Sequence, residues 1–271
     1  MSEYQYYEFQ KVDERLSPEE MRELRSYSTR ARITPSSFTN EYNFGNFKGD
    51  PDFMMEKYFD GFLYFANWGT REVQLAVPAG LLPAETAHRY DCGYAASSRK
   101  KSGKLIVKFA SDQEPDEEWI EEEGQLASLL QIRNELIQGD LRSLYLGWLV
   151  GVQAGELEES EKEPPVPPNL DKLSGPQQNL ADFLRVDAGL LAVAARNSPR
   201  VKTDSTSSKE LSTWIATLPA RKKDEILVQL VKGNAAKAGQ EIQSRFRRHQ
   251  GASQPAAGLK PRTVAELLSA K

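Results

Sequence analysis

The spacing of apolar side chains divides the chain into a front part with strand-like patterns and a back part with helical patterns. Alternating apolar positions or aromatic-rich stretches occur at Tyr4–Val12, Ile33–Phe44, Phe62–Trp68, Glu72–Val77 and Leu105–Phe109. Such patterns are typical of strands, because successive side chains point to opposite faces of a sheet. No further strand pattern occurs after Glu117.

Two short helices interrupt the front part. Ser17 is the predicted N-cap of the first, with Pro18 at its first helical position, and Asp50 followed by Pro51 begins the second. Residues 78–103 are rich in glycine and proline and are predicted to be mostly loop. This order predicts an α+β fold, in which a mixed or antiparallel sheet carries helices on one face and is followed by an all-α region.

The back part is predicted to be all-helical. Its strongest pattern places apolar side chains at i, i+3, i+4, i+7, i+8 and i+11 from Leu141. Four residues stand where an N-cap is needed before a further helix: Ser174, Asp187, Ser207 and Thr263. The run Pro-Pro-Val-Pro-Pro at 164–168 favours a stiff spacer, with a ligand for a proline-binding groove as the alternative.

These patterns predict five segments in the 271 residues. They are an α+β domain over 1–113, a helical hairpin packed on it over 114–154, an acidic and proline-rich linker over 155–173, a helical region over 174–250, and a flexible tail with a short terminal helix over 251–271. The length suits one large domain or two ordinary ones.

Composition narrows the class of protein. Hydrophobic residues make up 39% of the chain, which is enough for a core. We expect a cytoplasmic protein, because no apolar run reaches the length of a membrane helix and the first residues lack the features of a signal peptide. The single cysteine, Cys92, excludes an intrachain disulfide and, with only two histidines, a Cys/His zinc site. Neither a metal nor a cofactor is expected, since nucleotide-binding glycine motifs are also missing.

Charge is unevenly distributed along the chain. The net charge is −4 overall, but residues 114–163 sum to −11 and residues 197–262 to +8. Blocks of opposite sign either attract each other within the fold or serve different partners, and the sequence leaves both open.

A few residues are candidates for catalysis. Asp52, Glu56 and Asp60 are spaced at i, i+4 and i+8, which suits acid–base chemistry or a magnesium ion, or else a solvated helix face. His88 is a loop histidine with a tunable pKa, and its alternative is an incidental surface position. Arg71 follows a predicted turn and is placed to pair with a carboxylate. A Gly-x-Ser-x-Gly elbow is missing from the sequence.

The best nucleic-acid signal lies in the basic block. Its predicted phosphate-binding residues are Arg221, Lys222, Lys223, Arg245, Arg247 and Arg248. Phe246, between two of these arginines, is placed to stack on a base. The alternative is a solvated helix face that neutralises the acidic block.

Aromatic side chains are concentrated on the front strands. Tyr4, Tyr6, Tyr7, Phe9, Tyr42, Phe44, Tyr64, Phe65 and Trp68 all fall on or beside them. If both faces of the sheet carry aromatics, one is a surface for a partner protein. The alternative is that the helices of the front part cover one face and the back part covers the other.

Several sequence blocks together carry a resemblance. Tyr4-Gln-Tyr-Tyr-Glu-Phe-Gln, Asn46-Phe-Lys-Gly-Asp-Pro-Asp, Ala66-Asn-Trp-Gly-Thr-Arg, Tyr145-Leu-Gly-Trp-Leu and Pro164-Pro-Val-Pro-Pro occur in this order. As a set, they resemble a family of bacterial hypothetical proteins over most of residues 4–195. The resemblance implies a SWIM-type zinc-finger protein as a partner and a defence or DNA-processing context. It carries over no catalytic residue.

Three hypotheses of function follow. The first is a non-enzymatic interaction or accessory protein of a bacterial cytosolic complex. The second is a nucleic-acid-associated factor that uses the basic block. The third is an enzyme with Asp52, Glu56, His88 or Arg71 in its site.

Overall fold

The computed structural model describes residues 3–114, 124–200, 208–231 and 261–271, with isolated helical residues between 238 and 249. Its front part is one seven-stranded sheet in the order β2-β3-β1-β4-β5-β7-β6, with every neighbouring pair antiparallel. The strands are β1 Gln5–Gln10, β2 Arg32–Thr34, β3 Ser37–Tyr42, β4 Gly61–Ala66, β5 Thr70–Pro78, β6 Ala96–Lys101 and β7 Lys104–Asp112. The predicted α+β class is confirmed.

Helices occur between the strands and dominate the described residues that follow the sheet. Those of the front part are α1 Pro18–Tyr27, α2 Pro51–Lys57 and α3 Ala84–His88. The later ones are α4 Gln125–Leu129, α5 Gln131–Ile137, α6 Arg142–Ala154, α7 Gly175–Phe183, α8 Ala188–Arg196, α9 Ser208–Thr217, α10 Ala220–Val231 and α11 Val264–Ser269. Within the described ranges, no helix is both long and apolar enough to span a lipid bilayer.

Side-chain caps fix where several helices begin. Ser17, Ser174 and Thr263 each form a reciprocal capping box with the Glu or Gln three residues later, while Asp50 and Asp187 accept from backbone N–H groups of the first turn. The predicted caps are confirmed at these five positions. The predicted cap at Ser207 lies outside the described residues, as do residues 115–123 and 251–260.

Two local predictions in the front part were wrong. Ile33–Phe44 is a hairpin of β2 and β3 and not one extended segment. Residues 78–103, predicted as mostly loop, contain α3 and the edge strand β6. The sequence of β6, Ala-Ser-Ser-Arg-Lys-Lys, lacks an apolar alternation, and this strand forms through pairing with β7.

Each face of the sheet has its own apolar core. On one face, α1 and α2 pack over an aromatic cluster that includes Phe9, Phe38 and Phe62. On the other face, the helices of the back part cover Leu75, Val107 and other apolar side chains of the sheet. The strand aromatics are therefore buried or half-buried by this chain itself, whereas the exposed Phe44 and Trp68 stand in loops.

Residues 155–173 pack against the body of the protein. The Tyr90 hydroxyl donates to the carbonyl oxygen of Pro165 (2.8 Å), and Leu170 is buried. Lys162, which belongs to this stretch, forms an isolated antiparallel bridge with Thr263, the N-cap of α11. The predicted domain boundaries remain a prediction.

A buried contact between described residues joins the acidic and basic blocks. Glu163, 5% exposed, accepts from Arg262 at 2.8 Å and from the Tyr145 hydroxyl at 2.5 Å. Burial, together with the neighbouring carboxylate, raises the pKa of Tyr145 well above its ordinary value. The terminal segment is thereby attached to α6 through a hydrogen-bonded ion pair.

Helix α6 contacts the sheet through two glycines at positions that leave no room for a side chain. A Cβ at Gly147 would lie 2.5 Å from the Phe109 ring, and one at Gly151 would overlap the sulfur of Cys92. The missing side chains let the helix backbone rest directly on β7 and on the loop before β6.

We predict that Gly151→Ala destabilises the protein. Overpacking against Cys92 costs about 1–3 kcal/mol, and the gain in helix propensity returns about 1 kcal/mol. Chemical denaturation of Gly151→Ala, Cys92→Ala and the double variant measures the coupling between the two positions. Gly175→Ala is the control, because nothing lies within 4 Å of a Cβ there. Strictly additive effects at 151 and 92 would contradict this packing.

Candidate functional site

The four catalytic candidates do not form one site. Asp52 lies in the first turn of α2, where its Oδ1 accepts from Gln74 (2.7 Å) and Arg99 (3.0 Å). Glu56 is 3.8 Å from Arg99 on the same face of the sheet. These contacts match the solvated polar face that was the alternative to catalysis.

Asp60 is buried, whereas Asp52 is exposed and Glu56 is half-buried. It follows the end of α2, is 3% exposed, and accepts from Lys104 (2.9 Å) and from the N–H groups of Val12 and Asp13. Burial acts to raise its pKa, but the Lys104 ammonium and the two N–H groups outweigh this and hold the pKa below the usual value. The Asp60 carboxylate thus joins the chain after β1 to the start of β7.

Arg71 lies on the opposite face of the sheet, buried under the helices. Its guanidinium donates to the carbonyl oxygen of Phe183 (2.9 Å) and lies 5.5 and 5.6 Å from the ring centroids of Phe65 and Phe183. This position suits a side chain that attaches the end of α7 to β5. The predicted pairing of Arg71 with a carboxylate is not among its described contacts.

His88 has a serine and an aspartate beside it, a combination that resembles a hydrolase triad. Its Nδ1 lies 2.9 Å from Asp91 Oδ2 and 2.8 Å from Ser98 Oγ, and Ser98 Oγ also lies 2.9 Å from Asp91 Oδ1. A triad requires the aspartate on one ring nitrogen and the serine on the other, so that the histidine can take the serine proton. Here both partners share Nδ1, so this geometry is a surface hydrogen-bond cluster.

Cys92 is a packing residue. It is 3% exposed beneath α6, and burial, followed by the nearby Glu156 carboxylate, raises the pKa of its thiol to about 12. Among the described residues, no group of three or more His, Cys, Asp or Glu side chains is arranged to hold a metal ion.

The basic region contains its own small apolar core. Trp214 on α9 and Ile226 on α10 are buried, and Phe246 packs against Trp214 with ring centroids 5.2 Å apart. Phe246 is only 4% exposed, so the expectation that it stacks on a nucleic-acid base was wrong. The Phe246 ring therefore packs on α9.

The predicted phosphate-binding residues have different surroundings. Arg221 is largely exposed but lies 3.4 Å from Glu225, which also pairs with Lys222 (2.5 Å). Lys223 donates to the carbonyl oxygen of Ala216, and Arg245 pairs with Glu241. Arg247 and Arg248 lie outside the described residues.

The most unusual surface feature of the described residues is on α10. Its sequence pattern places Ile226, Leu227, Leu230 and Val231 on one apolar stripe, yet only Ile226 is buried. Leu227, Val228, Leu230 and Val231 are 57%, 51%, 41% and 89% exposed. We call these four side chains the α10 surface. Periodicity alone could not reveal it, because an inward and an outward stripe have the same spacing.

Substitution of Asp60 and, separately, of Asp52 compares the contribution of a buried carboxylate to stability with that of a surface carboxylate. We expect Asp60→Asn to lower the free energy of unfolding by about 2 kcal/mol at neutral pH and Asp52→Asn by less than about 1 kcal/mol. Because the Asp60 pKa is lowered in the folded state, its contribution is present above the ordinary Asp value of about 3.9 and is lost as the pH falls below it. Urea denaturation between neutral pH and pH 3 measures both effects. Equal losses in the two variants would contradict the assignment.

The Cys92 thiol is predicted to be inert in the folded protein. With a pKa of about 12 and little exposure, it has neither the thiolate nor the access that alkylation needs. Iodoacetamide at pH 8 should modify the denatured chain rapidly. In the native protein it should react only as fast as the structure around Cys92 opens, and mass spectrometry measures both rates. Rapid labelling of the native protein would contradict the described packing.

The chain matches no family model, no curated protein and no solved structure. The proposed function therefore rests on the contacts, burial and charges of the described residues.

Proposed function

We propose that this protein is a non-enzymatic accessory protein, and that the α10 surface binds an acidic amphipathic helix of a partner protein. The single observation that carries this proposal is the exposure of four large apolar side chains on one helix. Single exposed apolar residues are common in soluble proteins, but a contiguous patch indicates an interaction surface.

The chemistry of the partner follows from the charges around this surface. The segment 197–262 carries a net charge of +8. At the start of α10, Arg221 and Lys222 share the carboxylate of Glu225, and the helix has a net charge of +1, from three basic and two acidic side chains. An amphipathic helix with an apolar stripe and acidic flanks complements both features. A SWIM-type zinc-finger protein as the source of that helix remains a prediction.

Nucleic-acid binding is the second candidate function. It is favoured by the charge of the basic region and by the exposure of Arg221, whose side chain is 92% accessible. The burial of Phe246 and the pairing of Arg245 with Glu241 weigh against it. Binding of phosphate groups would also leave the four apolar side chains of the α10 surface without a contact.

The test uses labelled model ligands and fluorescence anisotropy. The protein ligands are an 18-residue helical peptide with a leucine stripe and glutamate flanks, the same stripe with lysine flanks, and a scrambled acidic peptide. Duplex DNA and single-stranded RNA are the nucleic-acid ligands. We expect the acidic amphipathic peptide to bind most tightly and to weaken at higher salt, because part of its attraction is electrostatic.

A pair of variants locates the binding surface. Leu227→Glu/Val231→Glu should weaken binding of the acidic peptide at least tenfold, since two large apolar contacts are lost and two repelling charges are added. Phe44→Glu is the matched control, because Phe44 is 82% exposed in a loop of the front part and does not belong to α10. Equal binding of the acidic and scrambled peptides would overturn the proposal. Tight binding of DNA or RNA that ignores the double substitution would support the second function.

A further inference from the structure

Strand β6 is the last strand on its side of the sheet, with β7 as its neighbour. In an antiparallel pair, every second residue exchanges both of its backbone hydrogen bonds with the neighbouring strand. The N–H of Ala110 donates to the carbonyl oxygen of Ala95, and together with the register of the pair this bond fixes the alternation. Within β6, Ala96, Ser98 and Lys100 therefore direct their N–H and carbonyl groups away from the sheet.

Most of these outward groups are open to a further strand. The carbonyl oxygen of Ala96 accepts from the N–H of Cys92 (2.8 Å), which closes the edge at that end of β6. Among the described residues, no hydrogen bond reaches the backbone N–H or carbonyl oxygen of Ser98 or Lys100. Because buried backbone groups are almost always paired, these groups face water. The open edge of β6 therefore runs from Ser98 to Lys101, just before the hairpin turn.

The side chains along the open edge of β6 are basic, since the strand ends in Arg99, Lys100 and Lys101. Arg99 pairs with Asp52 (3.0 Å), whereas the side chain of Lys101 is 62% exposed and lies 3.9 Å from Glu56. Lys100 is exposed and makes no ion pair within the described part of the chain. Because neighbouring residues of a strand point to opposite faces, an added strand meets one exposed lysine on each face.

The basic side chains determine which kind of strand can pair here. Lysines on an edge strand discourage pairing with apolar strands of other molecules. Two copies of β6 joined edge to edge would bring two sets of three basic side chains together, so their repulsion opposes pairing with a second copy of this chain. A strand with acidic side chains gains the same backbone hydrogen bonds and places its carboxylates beside the lysines.

We infer that the open edge of β6 binds an extended acidic segment of another protein, which extends the seven-stranded sheet by one strand. The segment forms backbone hydrogen bonds with Ser98 and Lys100, and its carboxylates lie beside Lys100 and Lys101. This is a second interaction surface, in the front part of the protein, and it does not depend on the α10 surface.

The probe is an end-capped peptide of eight residues in which glutamate and valine alternate, titrated into isotope-labelled full-length protein and followed by NMR. One control peptide carries lysine in place of glutamate. The other keeps the acidic sequence but is N-methylated at each peptide bond, so it retains the charge and cannot donate the hydrogen bonds of a strand.

Hydrogen exchange of the backbone amides reports strand addition directly. In the free protein we expect rapid exchange at Ser98 and Lys100 and slow exchange at Arg99 and Lys101, whose amides bond to β7. The acidic peptide should bind saturably and slow exchange at Ser98 and Lys100. Neither control peptide should do so.

Two substitutions at one position separate strand pairing from charge. Lys100→Gln keeps the outward N–H and removes the charge, so binding of the acidic peptide should weaken about threefold and depend less on salt. Lys100→Pro removes the N–H as well, and proline is tolerated on an edge strand where the N–H faces solvent. The lost hydrogen bond should weaken binding by a further factor of about five. Thermal melting checks that both variants are folded.

Several results would overturn the inference. They are no saturable binding of the acidic peptide, equal binding of its N-methylated form or of the lysine peptide, and binding that leaves the amides of Ser98 and Lys100 in rapid exchange. Equal affinities of Lys100→Gln and Lys100→Pro would likewise show attraction between charges without strand pairing. If Lys100→Pro does not fold, the N-methylated peptide provides the same comparison on the unaltered protein.

Discussion

The close approach of α6 to the sheet is the constraint on which the rest of the back part depends. Gly147 and Gly151 remove the side chains that would hold the helix away from Phe109 and Cys92. Because α6 is buried along most of its length, it then provides the surface against which α7 and α8 pack.

The terminal segment depends on α6 as well, through an ion pair that is unusual in its burial. Taking a carboxylate and a guanidinium out of water is costly unless their remaining hydrogen-bonding groups are satisfied. Glu163 meets this condition, because one oxygen accepts from Arg262 and Tyr145 and the other from Arg262. A contact between residues 99 positions apart therefore fixes where α11 begins.

The sequence predicted those elements whose cause is local. Caps such as Ser17 and Asp50, and the aromatic strands, carry their own signals, and the fold class followed from their order. Prediction from the sequence failed at β6, a polar edge strand that forms because β7 pairs with it. The sites predicted from charge and spacing met ordinary structural partners, as at Asp60 and Arg71.

The charge of the basic region bears on which kind of partner the α10 surface has. Four exposed apolar side chains would also suit association with a second copy of the same chain, and a symmetric dimer would place identical patches together. Such a dimer would bring two regions of net charge +8 into contact, and their repulsion opposes it. An acidic partner gains the same apolar contact and reverses the sign of the electrostatic contribution. The combination of exposed apolar side chains and strong positive charge therefore favours a different protein over a second copy.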